Sequence, residues 1–522
     1  MSTLTSRQRT GVLATMCLAL IAVVASVSGL NVALSELSVE LGASTADVLW
    51  IVNAYTLTLA ALLLAIGELG DRFGRRRILL GGLGIFVVAS GLSATADTAG
   101  ELIAFRSLAG LGAAMIMPAT LSIITASFPA DERGRAVGIW AGFAGAGGIL
   151  GMFASAAIID TVTWPWLFAA PAVAAVAAAG ATAVLVPNTR NTEIGGYDAL
   201  GAVLSILAVG GLVLGIHEGP EKGWTDGLTI AGLAVGVVAS IAFLWWERRT
   251  AEAHETGGRV EPLIDVRVFS DRMLAAGSLA LTLNFAMMFG AFLLVLQYLQ
   301  AVLGYSALTA ASGLLPMAVV MMSLSPRAPG MAQRLGFARV IAAGSASMAV
   351  GFAVLALVAG SDPSYFRVLP GLLVIGFGVG LMMSPSTTAI TEALPEEKQG
   401  VASALNDTVR EFGSSIGIAL IGSLASAGYR SSIDPTLETL PDELAHTVGE
   451  GIGPALAVAG AMGADGAAIV TGAQDAFLDG WVDAMAVAAV LAVVCGLAVS
   501  RMLRPTATVV EELEPVAEPV GV

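Results

Sequence analysis

Long apolar runs separated by short charged breaks occupy almost the whole chain. A helix needs about twenty apolar residues to cross a hydrocarbon core about 30 Å thick. Fourteen runs approach or exceed that length: 11–34, 48–66, 78–96, 102–127, 136–159, 166–186, 200–217, 228–246, 274–299, 307–325, 340–359, 368–390, 401–427 and 481–502. The pattern predicts an all-α polytopic membrane protein with fourteen transmembrane helices, since a helix satisfies its backbone groups internally where no water can. The first run is too long for the apolar part of a leader and is read as the first span.

The sharpest break is 67–80, GELGDRFGRRRILL. Its acids, arginines and glycines cannot lie in lipid, so it is expected to form a tight loop at a membrane face. Taking that face as cytoplasmic places nearly all the 25 Lys and Arg residues there. Only Lys222, Arg367 and Arg430 fall on the other side, while Arg106 and Arg410 lie within spans. The positive-inside rule then puts both termini in the cytoplasm.

An internal repeat organises the runs further. PGMAQRLGFAR at 329–339 echoes GELGDRFGRRR at 67–77, matching Arg72 with Arg334, Gly74 with Gly336 and Arg77 with Arg339. The second copy follows the tenth run, so runs nine to fourteen repeat runs one to six. The expected division is an N-terminal six-helix bundle (1–190), an inserted helix pair (191–250), a cytoplasmic linker (251–273), a C-terminal six-helix bundle (274–504) and a tail (505–522). Repeated halves with a site between them suit alternating access. The outer segment 428–480 fits either short helices at the membrane or a solvated loop.

Composition agrees: 56% of residues are hydrophobic, 12% are charged and the mean hydropathy is +0.83. The net charge of -15 is concentrated in predicted outer loops and the tail. The two cysteines, Cys17 and Cys495, lie in apolar runs, and the three histidines are scattered, which offers neither a disulfide framework nor a metal site. No phosphate-cradling loop or nucleophile triad supports an enzyme.

An ionisable group inside a span is costly unless paired or hydrated, and so is a functional candidate. Asp407, Arg410 and Glu411 share one helical face by their i, i+3, i+4 spacing. Two carboxylates beside one arginine can exchange partners as a proton arrives, which would suit proton coupling; a static ion pair is the competing reading. Arg106 is the other candidate. The run GFAGAGGILG at 142–151 allows close helix approach. The polar and adaptable residues Ser26, Asn31, Asn53, Tyr55, Asn284, Gln297 and Met321 form a search list for a mid-membrane pocket, with Met287, Met288 and Met322 as apolar walls.

The loop pattern G-x-L-x-D-R-x-G-R-R, carried by Gly67, Leu69, Asp71, Arg72, Gly74, Arg75 and Arg76, resembles the signature loop of the major facilitator superfamily. LWIVNAYTLTLAAL from Leu49, HEGPEKGW from His217, LQAVLGYSALTAASGLLP from Leu299 and GVASALNDTVREFGSSIG from Gly400 extend the likeness to the fourteen-span drug:proton antiporters of the QacA and EmrB type. DELAHTVGE from Asp442 resembles the outer loop of the QacA branch in particular. The resemblance implies the major facilitator fold and proton-driven export of hydrophobic or amphipathic small molecules from the plasma membrane, with no cofactor beyond the proton gradient and no nucleic-acid partner. A monomer is expected.

It also implies roles. Asp71, with Gly67, Arg72, Gly74, Arg75 and Arg76, would latch the bundles together near a helix N-terminus, and Arg106, Asp407, Arg410 and Glu411 would handle protons. The chain departs from the pattern where Met152 replaces the proline, and Ser155 and Ala156 the glycine pair, of the antiporter motif G-P-x-x-G-G. Branch acids are replaced by Ser26, Asn53 and Met321, which leaves neutral, zwitterionic or anionic substrates open beside cations. Two other readings stand: export of a lipid or of one self-made metabolite, and a non-transporting membrane sensor.

Overall fold

The computed structural model describes residues 4–30, 37, 38, 40–187, 196–358, 363–438 and 440–504. Fourteen helices long and apolar enough to cross a membrane lie among them. They are α1 (Ser6–Ser28), α2 (Thr45–Phe73), α3 (Arg75–Ser93), α4 (Ala99–Ser127), α5 (Ala130–Thr161), α6 (Trp166–Leu185) and α7 (Ala199–Lys222), followed by α8 (Gly227–Glu255), α9 (Arg272–Gln297), α10 (Ala307–Leu324), α11 (Phe337–Val358), α12 (Tyr365–Glu392), α13 (Gln399–Leu437) and α14 (Ala467–Met502). Short polar residues start several of them: Ser44 and Asp47 form a capping box on α2, and Asp226 and Asp271 accept from the first amides of α8 and α9.

The helices outrun the apolar windows that announce them. The charged stretch 67–80 is helical through Phe73 and again from Arg75, and Gly74 alone breaks it, so the expected loop is a one-residue kink. Gly74 has φ +102°, a value that strains any residue with a Cβ. Its counterpart in the repeat, Gly336, has φ +92° after the short helix Ala328–Leu335. The same backbone solution therefore recurs at both matched glycines.

Outside the apolar core, hydrogen-bonded polar residues continue the helices into water. α8 runs to Glu255, well beyond residue 246, and a single 3₁₀ turn, Val266–Ser270, completes the linker. In the outer segment the structure gives short helices, Asp442–Gly449 and Ile452–Met462. α13 extends to Leu437 and α14 starts at Ala467, not at residue 481. Ile452, Ala455 and Ala459 are buried, and the Tyr429 hydroxyl donates to the Val448 carbonyl at 2.8 Å, which ties the short helices to α13.

Within the first six helices the main packings are α1 on α5 and α6, α2 on α4, and α3 on α4 and α6. The last six repeat them: α9 packs on α13 and α14, α10 on α12, and α11 on α12 and α14. The two sets meet through α5 against α10 and α2 against α13, pairs that exchange under the repeat. α7 and α8 pack tightly on each other, because a Cβ on Gly211 would come within 2.7 Å of the Gly236 nitrogen. α7 also touches α2 and α13, one helix from each set.

Candidate functional site

Contacts between the sets begin at the arginine-rich end. Asp71, 2% exposed, accepts from the Gly400 amide at 2.9 Å and the Val401 amide at 3.2 Å, the first turn of α13. A carboxylate there takes unpaired helix donors and faces the positive end of the helix dipole. Arg75, one turn along, pairs with it at 2.8 Å and donates to the Glu396 carbonyl at 3.0 Å. Gly67 and Gly400 make the approach possible: a Cβ on Gly400 would lie 2.4 Å from the Gly67 carbonyl oxygen.

The other arginines of the cluster go elsewhere. Arg72 bonds Glu68 and the Gly196 carbonyl, with its guanidinium 5.4 Å from the Tyr197 ring, and Arg76 donates to the Ala183 carbonyl. Asp71 thus reaches the first turn of α13 and Arg75 the turn just before it, while Arg72 and Arg76 also bond the first set and the segment before α7.

The contact continues inward through small residues. Ser325 donates to the Gly138 carbonyl at 2.9 Å, and Gly145 faces Met383 and Met321, whose sulfur lies 3.2 Å from the place of an added Cβ. Beyond this seam is a narrow apolar cleft between Gly145, Gly148 and Ile149 of α5 and Met288, Phe289, Phe292 and Met317 of α9 and α10.

Two and three turns into α13 lies its charged face. Asp407 is fully buried, and one oxygen accepts from Arg410 and from Asn406, both at 3.1 Å. Its Oδ2 has no hydrogen-bond partner among the described residues. The Arg410 guanidinium sits 4.7 Å from the Phe285 ring of α9 and 5.3 Å from the Trp140 ring of α5, so the pair lies where the sets meet. Trp140 is in turn fixed by its indole N–H on Thr120. Glu411 is half-buried, and its carboxylate forms no hydrogen bond or ion pair among the described residues.

Arg106 is fully buried on α4 and donates to the Ser26 hydroxyl at 3.0 Å and the Ile51 carbonyl at 3.2 Å, over the Tyr55 ring at 4.3 Å. Tyr55 donates to the Val23 carbonyl. Ser26, Tyr55 and Arg106 thus form one cluster inside the first set. The remaining search-list residues do not join it. Asn53 is half-buried, Asn284 is fully buried with neither amide atom hydrogen-bonded among the described residues, Gln297 is exposed at the end of α9, and Met321 packs on Gly145. Asn31 lies outside the described residues. Of the methionines offered as walls, Met288 lines the cleft.

Trp140, Phe285, Asn406 and His217 were not signalled by charge spacing. The aromatic residues become visible only when α5 and α9 converge on Arg410. His217 becomes visible only when α7 docks on α13.

The Major Facilitator Superfamily model matches residues 16–418. The chain belongs to this superfamily. It is 33% identical over 454 residues to the multidrug efflux pump LfrA of Mycolicibacterium smegmatis, covering 86% of this chain and 87% of the relative. It is 32% identical over 438 residues to the cephamycin export protein CmcT of Amycolatopsis lactamdurans, covering 83% and 87%. Among solved structures, an auto-inhibited POT family peptide transporter superposes with a TM-score of 0.60 at 17% identity, covering 98% of this chain and 99% of that one, a likeness of fold alone. This facilitator is therefore a multi-pass membrane protein with the fourteen-helix form of the fold.

Proposed function

We propose that the chain exports hydrophobic or amphipathic small molecules, drugs and antibiotics among them, in exchange for protons. The observation that carries the reading is Asp407: a fully buried carboxylate at the meeting of the two helix sets, half satisfied by Arg410 and Asn406 and otherwise unpartnered. A buried carboxylate with one open oxygen has strong reason to take up a proton when the site closes and release it when water enters. The likeness to LfrA, a multidrug efflux pump, supports efflux of more than one compound.

The architecture would serve this by rocking the bundle 1–190 against the bundle 274–504, with 191–250 inserted, 251–273 linking and 505–522 as tail. The arginine-rich end and both termini would face the cytoplasm. With Asp71 engaged on α13, that side is closed, and opening it requires the carboxylate to leave the Gly400 and Val401 amides. Arg106 and Glu411 are the accessory proton-handling groups, the apolar cleft is the start of the substrate path, and the working unit is a monomer without catalytic chemistry.

A second reading, export of one self-made metabolite, is favoured by the likeness to CmcT, which is named for a single product class. Transport by purified protein in liposomes tests both. Proton-linked movement of several unrelated amphiphiles supports drug export, one transported compound supports the metabolite reading, and substrate movement with no proton countermovement overturns antiport.

A further inference from the structure

The inserted pair touches the charged helix at one polar point. His217, near the far end of α7, has Nε2 at 3.1 Å from the Ser415 hydroxyl oxygen of α13. Ser415 spends its own proton on the Glu411 carbonyl at 2.9 Å, so its oxygen is free to accept. The imidazole must then donate from Nε2, which leaves Nδ1 as the unprotonated nitrogen. That Nδ1 is buried and has no hydrogen-bond partner among the described residues. A proton added there leaves the Ser415 bond intact and places a positive charge beside Ser415, which lies one helical turn along α13 from Glu411.

Two carboxylates bear on the imidazole, Glu218 beside it on α7 and Glu411 one helical turn from Ser415 on α13. On α7 itself, Glu218 and Lys222 pair with each other at 2.6 Å. Between its first residue and Glu68, α2 carries only Asp47 and Tyr55 as ionisable side chains. α8 has none from Gly227 to Trp246, with Asp226 in the turn before it. On α13 the ionisable groups between Gln399 and Gly428 are Asp407 and Arg410, already paired, and Glu411, whose carboxylate has no partner among the described residues.

We propose that His217 is a proton-binding positioning residue that links the inserted helix pair to Glu411, the two groups titrating as a coupled pair. The proposal rests on the proton-exchange reading above and gives α7 and α8 a part in it. A protonated His217 favours an ionised Glu411, and neutralising Glu411 favours release of the His217 proton. The Ser415 bond keeps the imidazole in place through both steps.

The chain has three histidines, which makes a direct test practicable. Protein labelled with ¹⁵N at histidine and held in lipid nanodiscs would be titrated by NMR, with His217→Gln identifying the His217 signal. The expected result is that Glu411→Gln moves the His217 midpoint to lower pH while the His254 and His446 midpoints stay. A His217 midpoint unmoved by Glu411→Gln would overturn the proposal. A second arm uses ethidium as the probe in liposomes across pH 5–8: His217→Gln, which keeps a donor for Ser415, should lose an inflection that the wild type shows. Superimposable profiles for the two proteins would likewise overturn it. If wild type moves no protons with any of several amphiphiles, the export reading fails instead, and the NMR result still decides the linkage.

Discussion

Asp71 and Asp407 are both buried carboxylates, and their surroundings give them opposite tasks. Asp71 has its acceptors filled by two backbone amides and the Arg75 guanidinium, each charge-assisted bond contributing about 1.5–3 kcal/mol. Asp407 leaves Oδ2 open. Replacing Asp71 by Asn removes the charge that faces the α13 N-terminus and leaves Arg75 buried without its partner. We predict that Asp71→Asn slows turnover several-fold while leaving the protons moved per substrate unchanged; paired substrate and proton flux measurements check this, and unchanged turnover at equal protein would contradict it. Gly400→Ala should be as damaging without touching a charge, because its methyl would fall 2.4 Å from the Gly67 carbonyl oxygen. Transport near the wild-type rate in that variant would show that the helices can part without cost.

At this scale the sequence was readable only in part. The spacing of Asp407, Arg410 and Glu411 announced a shared face, but the choice of Asp407 as the sole ion-pair partner depends on Trp140 and Phe285 holding Arg410 from other helices. Asn284 and Gln297 look alike in sequence as polar residues in one span, yet one is fully buried and the other exposed at the helix end. Which way a residue faces in a helix that is apolar all round is decided by its neighbours, and α9 gives no polar stripe to orient it.

Helices were legible where hydrophobicity sets their length, and their ends were not. α13 continues past its apolar run through the polar stretch 428–437, α14 begins at Ala467 in a stretch where Asp475 and Asp479 interrupt the apolar residues, and Gly74 interrupts a helix that charge density had suggested was a loop. The linker after α8 shows a further device. Asp265 caps the turn Val266–Ser270 by accepting from the Arg267 amide, and the Arg267 guanidinium bonded to it holds its carboxyl below the usual carboxylate range. A lowered value stabilises the fold above the unfolded group's pKa of about 3.9, and that contribution fades as pH falls through the lower folded value. Protease nicking of segment 251–273 is therefore expected to rise as the pH drops below about 4, with Asp265→Asn already nicked faster at neutral pH. Equal nicking of variant and wild type at neutral pH would remove the cap from the account.

For the inserted pair, the glycines Gly211, Gly215, Gly232 and Gly236 bring α7 and α8 into backbone contact. Gly211→Leu overfills that contact, a change that costs about 1–3 kcal/mol in packed cores. We expect lower thermal stability with the Asp71 latch intact, read as a reduced melting temperature and an effect of Asp71→Asn on turnover that is the same size with and without Gly211→Leu. A smaller Asp71→Asn effect in the Gly211→Leu background would mean that the pair also holds the latch.

Across the whole molecule, the repeat is the organising fact. The matched glycines share a backbone conformation, the two sets share a packing pattern, and α5 on α10 mirrors α2 on α13. That symmetry was visible in sequence through a few residues, Arg72 with Arg334 and Gly74 with Gly336. The asymmetry that would drive transport was less so: the first set keeps a buried Arg106 on Ser26 and Tyr55, while the second holds the Asp407–Arg410 pair. One unpartnered carboxylate oxygen at the meeting of two repeated halves is what proton exchange requires.

Proton release from purified protein in liposomes, on addition of cationic, neutral and anionic amphiphiles, tests that claim most directly, with Asp407→Asn measured alongside. The account predicts release by some compounds in the wild type and none in the variant, which still binds them. Binding without release in the wild type, or release that survives Asp407→Asn, would contradict it.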